Sequence, residues 1–340
     1  MASIFYIAGC EGCGNQKPLQ EIELDKAEEA LEVRFKRLDR DLFNADFSKP
    51  MAASQLLYQQ YGSFWCHFIE GDIKLAPCTS DTVGPMLIPF VQDRNMAESN
   101  AEIQQVFTEE KLEPIKVQLT DMVQRWHHFF PDSLVPCVVF YQSAYNTNIA
   151  PVDSSLGIAL DCYLGTDHRL TRQLDPVRFP AYTKQGMDAH YIVADAAKGW
   201  AAMQSRGYED TKDFLRTLIF YGKMMYVAEA LVPDQSDAQL MNWTSEQLAW
   251  AATNEWNIWK ELANENVMFM TKQFEIKKWF DPGPFTNAQN IPQDSPPQLG
   301  VWIGWKMVRQ YMEKFPDTTL QQLMATTDAQ QVLAAYKPER

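Results

Sequence analysis

The stretch from Phe214 to Leu231 constrains this chain most. It is apolar nearly all round, with Arg216 in its first turn and Lys223 and Glu229 as the charges that interrupt it further on. A helix that is hydrophobic on every side must be buried on every side. The fold therefore has to wrap other elements around it. Pro233 closes the helix, which begins near Asp210 or Thr211. Two residues sit awkwardly in it. A buried ammonium at Lys223 costs several kcal/mol unless it is paired or loses its proton, so a carboxylate partner is expected, with Asp161 as the candidate. Gly222 costs about 1 kcal/mol relative to Ala in a helix interior. Close approach of another backbone, or of a ligand, would offset that cost.

Other helices are legible from period and punctuation. Ile115, Leu119, Met122, Trp126 and Phe129 recur at spacings of three and four, with Pro114 in the first turn. A shorter helix precedes it over 98–107. Thr244 and Gln247 have capping-box spacing, and Trp243 and Leu248 fit a hydrophobic staple, so a helix starts there and runs toward Asn264. Further helices are expected over 299–315, 318–325 and 328–335.

Strand patterns are few. Residues 32–38 alternate polar and apolar, which places Val33, Phe35 and Arg37 on one face. Val135–Gln142 and Leu156–Leu164 are apolar runs of strand length. Three or four strands and many helices predict an α+β fold: a small mixed sheet with packed helices and a helix-rich C-terminal half. The segment from Asp281 to Pro297 carries five prolines and no period, which fits an ordered loop over a groove. The expected division is a tether over 1–24 and a single domain over 25–340.

Composition excludes some partners. A formal net charge of −14 repels phosphate backbones, so nucleic acid is an unfavourable ligand, and it argues against docking on anionic lipid through a basic patch. No run of about 18 apolar residues is present to span a bilayer. The six cysteines, at 10, 13, 66, 78, 137 and 162, fit no recognised disulfide framework. Cys10 and Cys13 form a C-x-x-C, but a polar stretch follows it instead of the helix that redox chemistry would need. Ile7-Ala8-Gly9-Cys10 fits a different role. It matches the small-residue box before a lipidated cysteine, with Cys10 as the attachment site, although only nine residues precede it and none is Lys or Arg.

Several stretches, in order, resemble the GldB family of gliding-motility lipoproteins. They are Arg34-Phe35 with Asp39, Asp41, Leu42 and Phe43; Tyr61-Gly62-Ser63-Phe64; Leu160-Asp161-Cys162-Tyr163-Leu164-Gly165; Tyr221-Gly222-Lys223 with Tyr226; Thr244 with Glu246-Gln247-Leu248; and Asn254-Glu255 with Ile258-Trp259. The longest runs from Ser295-Pro296 through Gly300-Val301-Trp302-Ile303-Gly304-Trp305 to Val308-Arg309, Tyr311 and Met312, and Tyr336-Lys337-Pro338 closes the set. After Gly165, Asp167-His168-Arg169-Leu170 stands where the family usually has a tyrosine. The resemblance covers residues 30–338. It implies an outer-membrane lipoprotein facing the periplasm or the cell surface, with envelope protein partners in a motility or secretion machine.

Enzyme signatures are sparse. A small sheet followed by a long helix is similar to the zincin arrangement of zinc peptidases. That chemistry needs two histidines at i and i+4 around a carboxylate. None of His67, His127, His128, His168 and His190 forms such a set. Adjacent His127 and His128 diverge by about 100° on a helix and read as surface residues. His67, beside Trp65 and Phe68, reads as a packed or edge histidine. No nucleophile elbow, P-loop or dinucleotide fingerprint is present, so no cofactor is expected. The expectation is a non-catalytic accessory or scaffold protein. An atypical or degenerate zinc-peptidase-like enzyme and a glycan- or peptidoglycan-binding lipoprotein are the alternatives. If a groove or remnant site exists, Asp161, Tyr221, Lys223, Tyr226 and Glu229 are its candidates. Seven of the ten tryptophans fall between Trp243 and Trp305. Their spacing fits core more than sugar stacking.

Overall fold

The strand Cys137–Tyr141 is buried along its whole length, and this organises the fold. A strand with no polar face has to be covered on both sides and flanked on both edges. In the computed structural model, which describes residues 31–263 and 265–339 (only the backbone at Glu265 and Asn266), that is its position. Calling the strands β1 (Phe35–Arg37), β2 (Cys137–Tyr141), β3 (Ile149–Val152) and β4 (Ser155–Ala159), the sheet order is β1-β2-β4-β3. β2 pairs in parallel with β1 and β4, and β3 runs antiparallel to β4. The fold is α+β, with a small mixed sheet under a helical majority.

Two of the strand expectations needed revision. The third predicted strand continues only to Ala159; Leu160–Tyr163 turn into a 3₁₀ helix. The carboxylate of Asp161 draws the chain out of the ladder, because it accepts from the main-chain N–H of Ser143 at 3.1 Å and of Tyr145 at 2.7 Å. β3 escaped notice because it has four residues and contains Pro151. Proline cannot donate to a ladder and is tolerated on an edge, which is where β3 lies. A two-residue turn with Asp153 in the left-handed region joins it to β4.

The helix predicted from Pro114 starts earlier, at Glu109, because the Thr108 hydroxyl caps Lys111 N–H. Pro114 is an interior residue of Glu109–Phe129. The helix 98–107 runs over Arg94–Val106, capped by Asp93. The all-apolar helix is Phe214–Leu231, capped by Asp213. The capping box of Thr244 and Gln247 is formed as expected. Buried side chains from Leu38 to Tyr336 make one continuous apolar cluster. Cys66 and Cys78 form a disulfide that the spacing did not reveal.

Gly222 of the central helix meets Gly304 of the helix Leu299–Lys314. A Cβ on Gly222 would lie 2.2 Å from the Gly304 carbonyl oxygen, and one on Gly304 would lie 2.0 Å from that of Leu218. The second backbone, not a ligand, explains Gly222. Below this crossing Glu229 accepts from Trp305 Nε1 at 2.7 Å and from Arg309 at 2.9 and 3.0 Å, while Arg309 also binds Asp237 at 2.7 Å and stacks on Trp305.

Candidate functional site

The Ile149 end of β3 borders a cavity of about 720 Å³. The ladder decides which main-chain groups point there. Ala159 N–H bonds Asn148 O, so Asn148 and Ala159 are a hydrogen-bonded pair. By antiparallel alternation Ala150 bonds inward, and Ile149 and Pro151 turn their main-chain groups away from β4. Ile149 lines the cavity. The helix Ile192–Gln204 packs on β3 so closely that a Cβ on Gly199 would lie 2.5 Å from Ile149 Cγ2.

One wall is the loop between β2 and β3. Asp161 clamps it through Ser143 and Tyr145, Thr147 Oγ1 donates to Asp72 at 2.6 Å, and Asn146 Nδ2 donates to Asp72 O at 3.0 Å. Ala144 and Tyr145 both have positive φ. Burial pushes the Asp161 carboxyl up to about 6, against the lowering by the two N–H groups. It also raises Asp72. Cys162 borders the cavity, and burial holds its thiol well above the ordinary range, which makes it a poor nucleophile.

A polar cluster forms another wall. Asp195 is 5% exposed. It accepts from Tyr163 Oη at 2.9 Å, from Asn242 Nδ2 at 3.1 Å and from Lys198 Nζ at 2.9 Å, and Lys198 also donates to Asn242 Oδ1 at 2.7 Å. Two of the three ammonium donors are thereby directed, which fixes Lys198 at the wall. Asn242 ends the short helix Asp237–Met241 in the left-handed region. Tyr145, Asn242 and Gln298 are three non-glycine residues with positive φ on this cavity's lining. Such strain persists where surroundings over-determine it, typically around binding sites. Tyr221, Met224 and Met225 enter from the central helix, and Pro282, Gly283 and Pro297 from the proline-rich loop. That loop does border a groove.

The five residues singled out in the sequence do not converge. Asp161 braces a cavity wall, and Tyr221 lines the cavity. Lys223, two residues on, points to the other side of the helix into a separate cleft of about 270 Å³. Its ammonium donates to the Thr326 carbonyl at the end of helix Leu320–Ala325, not to Asp161. Burial lowers its pKa to about 8. Tyr226 is buried, its hydroxyl raised by burial. Glu229 belongs to the Arg309 network. Cys10 lies outside the described residues.

Asp195, Lys198 and Asn242 were missed. The available signal was the i, i+3 charge pair Asp195 and Lys198 inside the otherwise apolar run Ile192–Trp200, the mark of a buried polar contact. None of the five histidines lines the cavity. Trp243, Trp279, Trp302 and Trp305 are core residues. Among the described residues, the one grouping with metal-ligand side chains is Cys66, Glu70 and Cys78, whose two sulfurs are bonded to each other.

No curated protein and no solved structure matches the chain. The family model described as gliding motility protein GldB matches residues 19–338, which is nearly the whole chain. The chain belongs to the GldB family of gliding motility proteins.

Proposed function

We propose that this chain is a non-catalytic, lipid-anchored accessory protein of a motility machine, carried on Cys10 through a tether over 1–24, and that the cavity beside β3 holds an extended segment of an envelope partner. The placement is the outer membrane, facing the periplasm or the cell surface. One observation supports the cavity reading above the others: Ile149, whose main-chain groups turn away from β4, lines a peptide-sized cavity. An extended peptide can add to such an edge by main-chain hydrogen bonds, with side-chain pockets giving selectivity. Lys198, Asn242 and Gln247 would then meet polar groups of the guest, and Met224, Met225 and Met241 would adapt to its apolar ones.

A photo-crosslinker at Tyr182, which is 40% exposed on the rim, tests this in intact cells. One dominant protein adduct, lost in Ala202→Trp, is expected. Adducts unchanged by Ala202→Trp would overturn the reading. The atypical-peptidase alternative predicts stoichiometric zinc and cleavage of added peptides by the purified chain.

A second reading has its own support. Tyr145, Phe179, Tyr182 and Tyr221 share the cavity with several side-chain amides, a combination that suits sugar rings. Peptidoglycan fragments should then compete with the Tyr182 adduct. No competition across fragments would remove this reading.

A further inference from the structure

The segment 267–280 combines features that nothing in the cavity uses. Phe274 is 75% exposed and Phe269 58% exposed. Single exposed apolar residues are ordinary, but here two aromatics five positions apart are left open beside lysines. The segment is firmly mounted. Ile276, Trp279 and Phe280 are buried, Phe214 N–H bonds Met270 O at 2.9 Å, and Gln273 Nε2 bonds Thr211 O at 3.0 Å. Phe274, Lys277 and Lys278 follow at i, i+3 and i+4 on the helix Gln273–Lys277 and the residue after it, so they share a face. Lys278 Nζ sits 4.9 Å from the Phe274 ring centre.

Charge selects the occupant. The chain as a whole is −14, yet residues 272–278 hold three lysines against one glutamate. Lys272 and Lys277 are exposed, while Lys278 is paired with Glu275 at 2.7 Å and Lys277 stands 3.9 Å from Asp281. An aromatic ring flanked by long basic stems matches a bilayer surface, where the ring enters the acyl boundary and the ammonium groups stay among the phosphates. The acidic remainder would be turned away.

We infer that Phe269 and Phe274, with Lys272, Lys277 and Lys278, form a docking surface for a bilayer bearing anionic headgroups. An acylated Cys10 would hold the chain near a bilayer, and this surface would fix its orientation there, independently of the cavity. It also reverses locally what the net charge implies globally.

The test uses the full chain with Cys10→Ser, so that no acyl group contributes, in flotation with phosphatidylethanolamine–phosphatidylglycerol vesicles and with phosphatidylcholine vesicles. Binding to the anionic vesicles is expected, weakened by added salt and by about fivefold for each of Lys272→Gln and Lys277→Gln. The pair Phe269→Ser, Phe274→Ser should abolish it while leaving the thermal midpoint unchanged. No flotation with anionic vesicles, flotation unchanged in the phenylalanine pair, or flotation that requires an added acidic protein would overturn the inference.

Discussion

Gly222 and Gly304 meet at a backbone crossing, where the Gly304 carbonyl fills the space of a Cβ on Gly222 and the Leu218 carbonyl fills that of one on Gly304. The longest buried helix and the strongest sequence motif of the C-terminal half are locked together at this point. The helices Glu109–Phe129, Ile192–Gln204 and Ser245–Leu262 pack against that pair.

Replacing either glycine with alanine should therefore destabilise the fold despite alanine's better helix propensity. The overpacking penalty is about 1–3 kcal/mol, and propensity returns up to about 1. A net loss of roughly 1–2 kcal/mol is expected in urea titration for Gly222→Ala. The second substitution should cost less once the first has separated the helices, so a double-mutant cycle should be non-additive.

Arg309→Met should be more damaging than its partly exposed position implies. It removes both guanidinium hydrogen bonds to Glu229 and the contact to Asp237. Breaking a buried pair costs about 3 kcal/mol. Glu229→Gln should cost less, since an amide still accepts from Trp305. Chemical denaturation at neutral pH compares the two.

Asp161 should make stability fall as pH rises. Its folded carboxyl holds a proton up to about 6, above the ordinary value, so the folded state binds more protons between roughly pH 4 and 6. Its contribution is most favourable below that window and is lost above pH 6, on the order of 2 kcal/mol. In Asp161→Asn this part of the slope should vanish. The raised Asp72 has the same sign and should leave a residual slope. Urea midpoints at pH 5 and 8 measure both.

Reduction of the Cys66–Cys78 disulfide, which closes a sequence separation of 12, should lower stability by about 3 kcal/mol. Cys66→Ala with Cys78→Ala should reproduce the loss and become insensitive to reductant.

Much of this architecture was legible where one local force dominated. Thr244 with Gln247 announced its helix because a capping box is a short-range contact, and the apolar run at Phe214–Leu231 could only be interior. Gly222 was readable as a close approach but not as an approach to Gly304, since the partner lies 82 positions away in the sequence. Lys223 misled. An ammonium can be satisfied by a helix-terminal carbonyl as well as by a carboxylate, and composition does not separate the two. β3 and the full Asp195–Lys198–Asn242 cluster were hidden for a related reason. Four residues with a proline carry no period, and beyond the i, i+3 pair of Asp195 and Lys198 the partners Tyr163 and Asn242 come from other elements, which leaves no further spacing to read.

The central claim is that the cavity beside β3 does this chain's work in motility by holding a partner. Ala202 is an exposed residue of the cavity wall on the helix Ile192–Gln204, so a tryptophan there fills the cavity without entering the core. The decisive measurement is gliding of cells whose only copy of the chain is Ala202→Trp, with its level and thermal midpoint matched to the unmodified chain. The account predicts that these cells stop gliding, and normal gliding would contradict it.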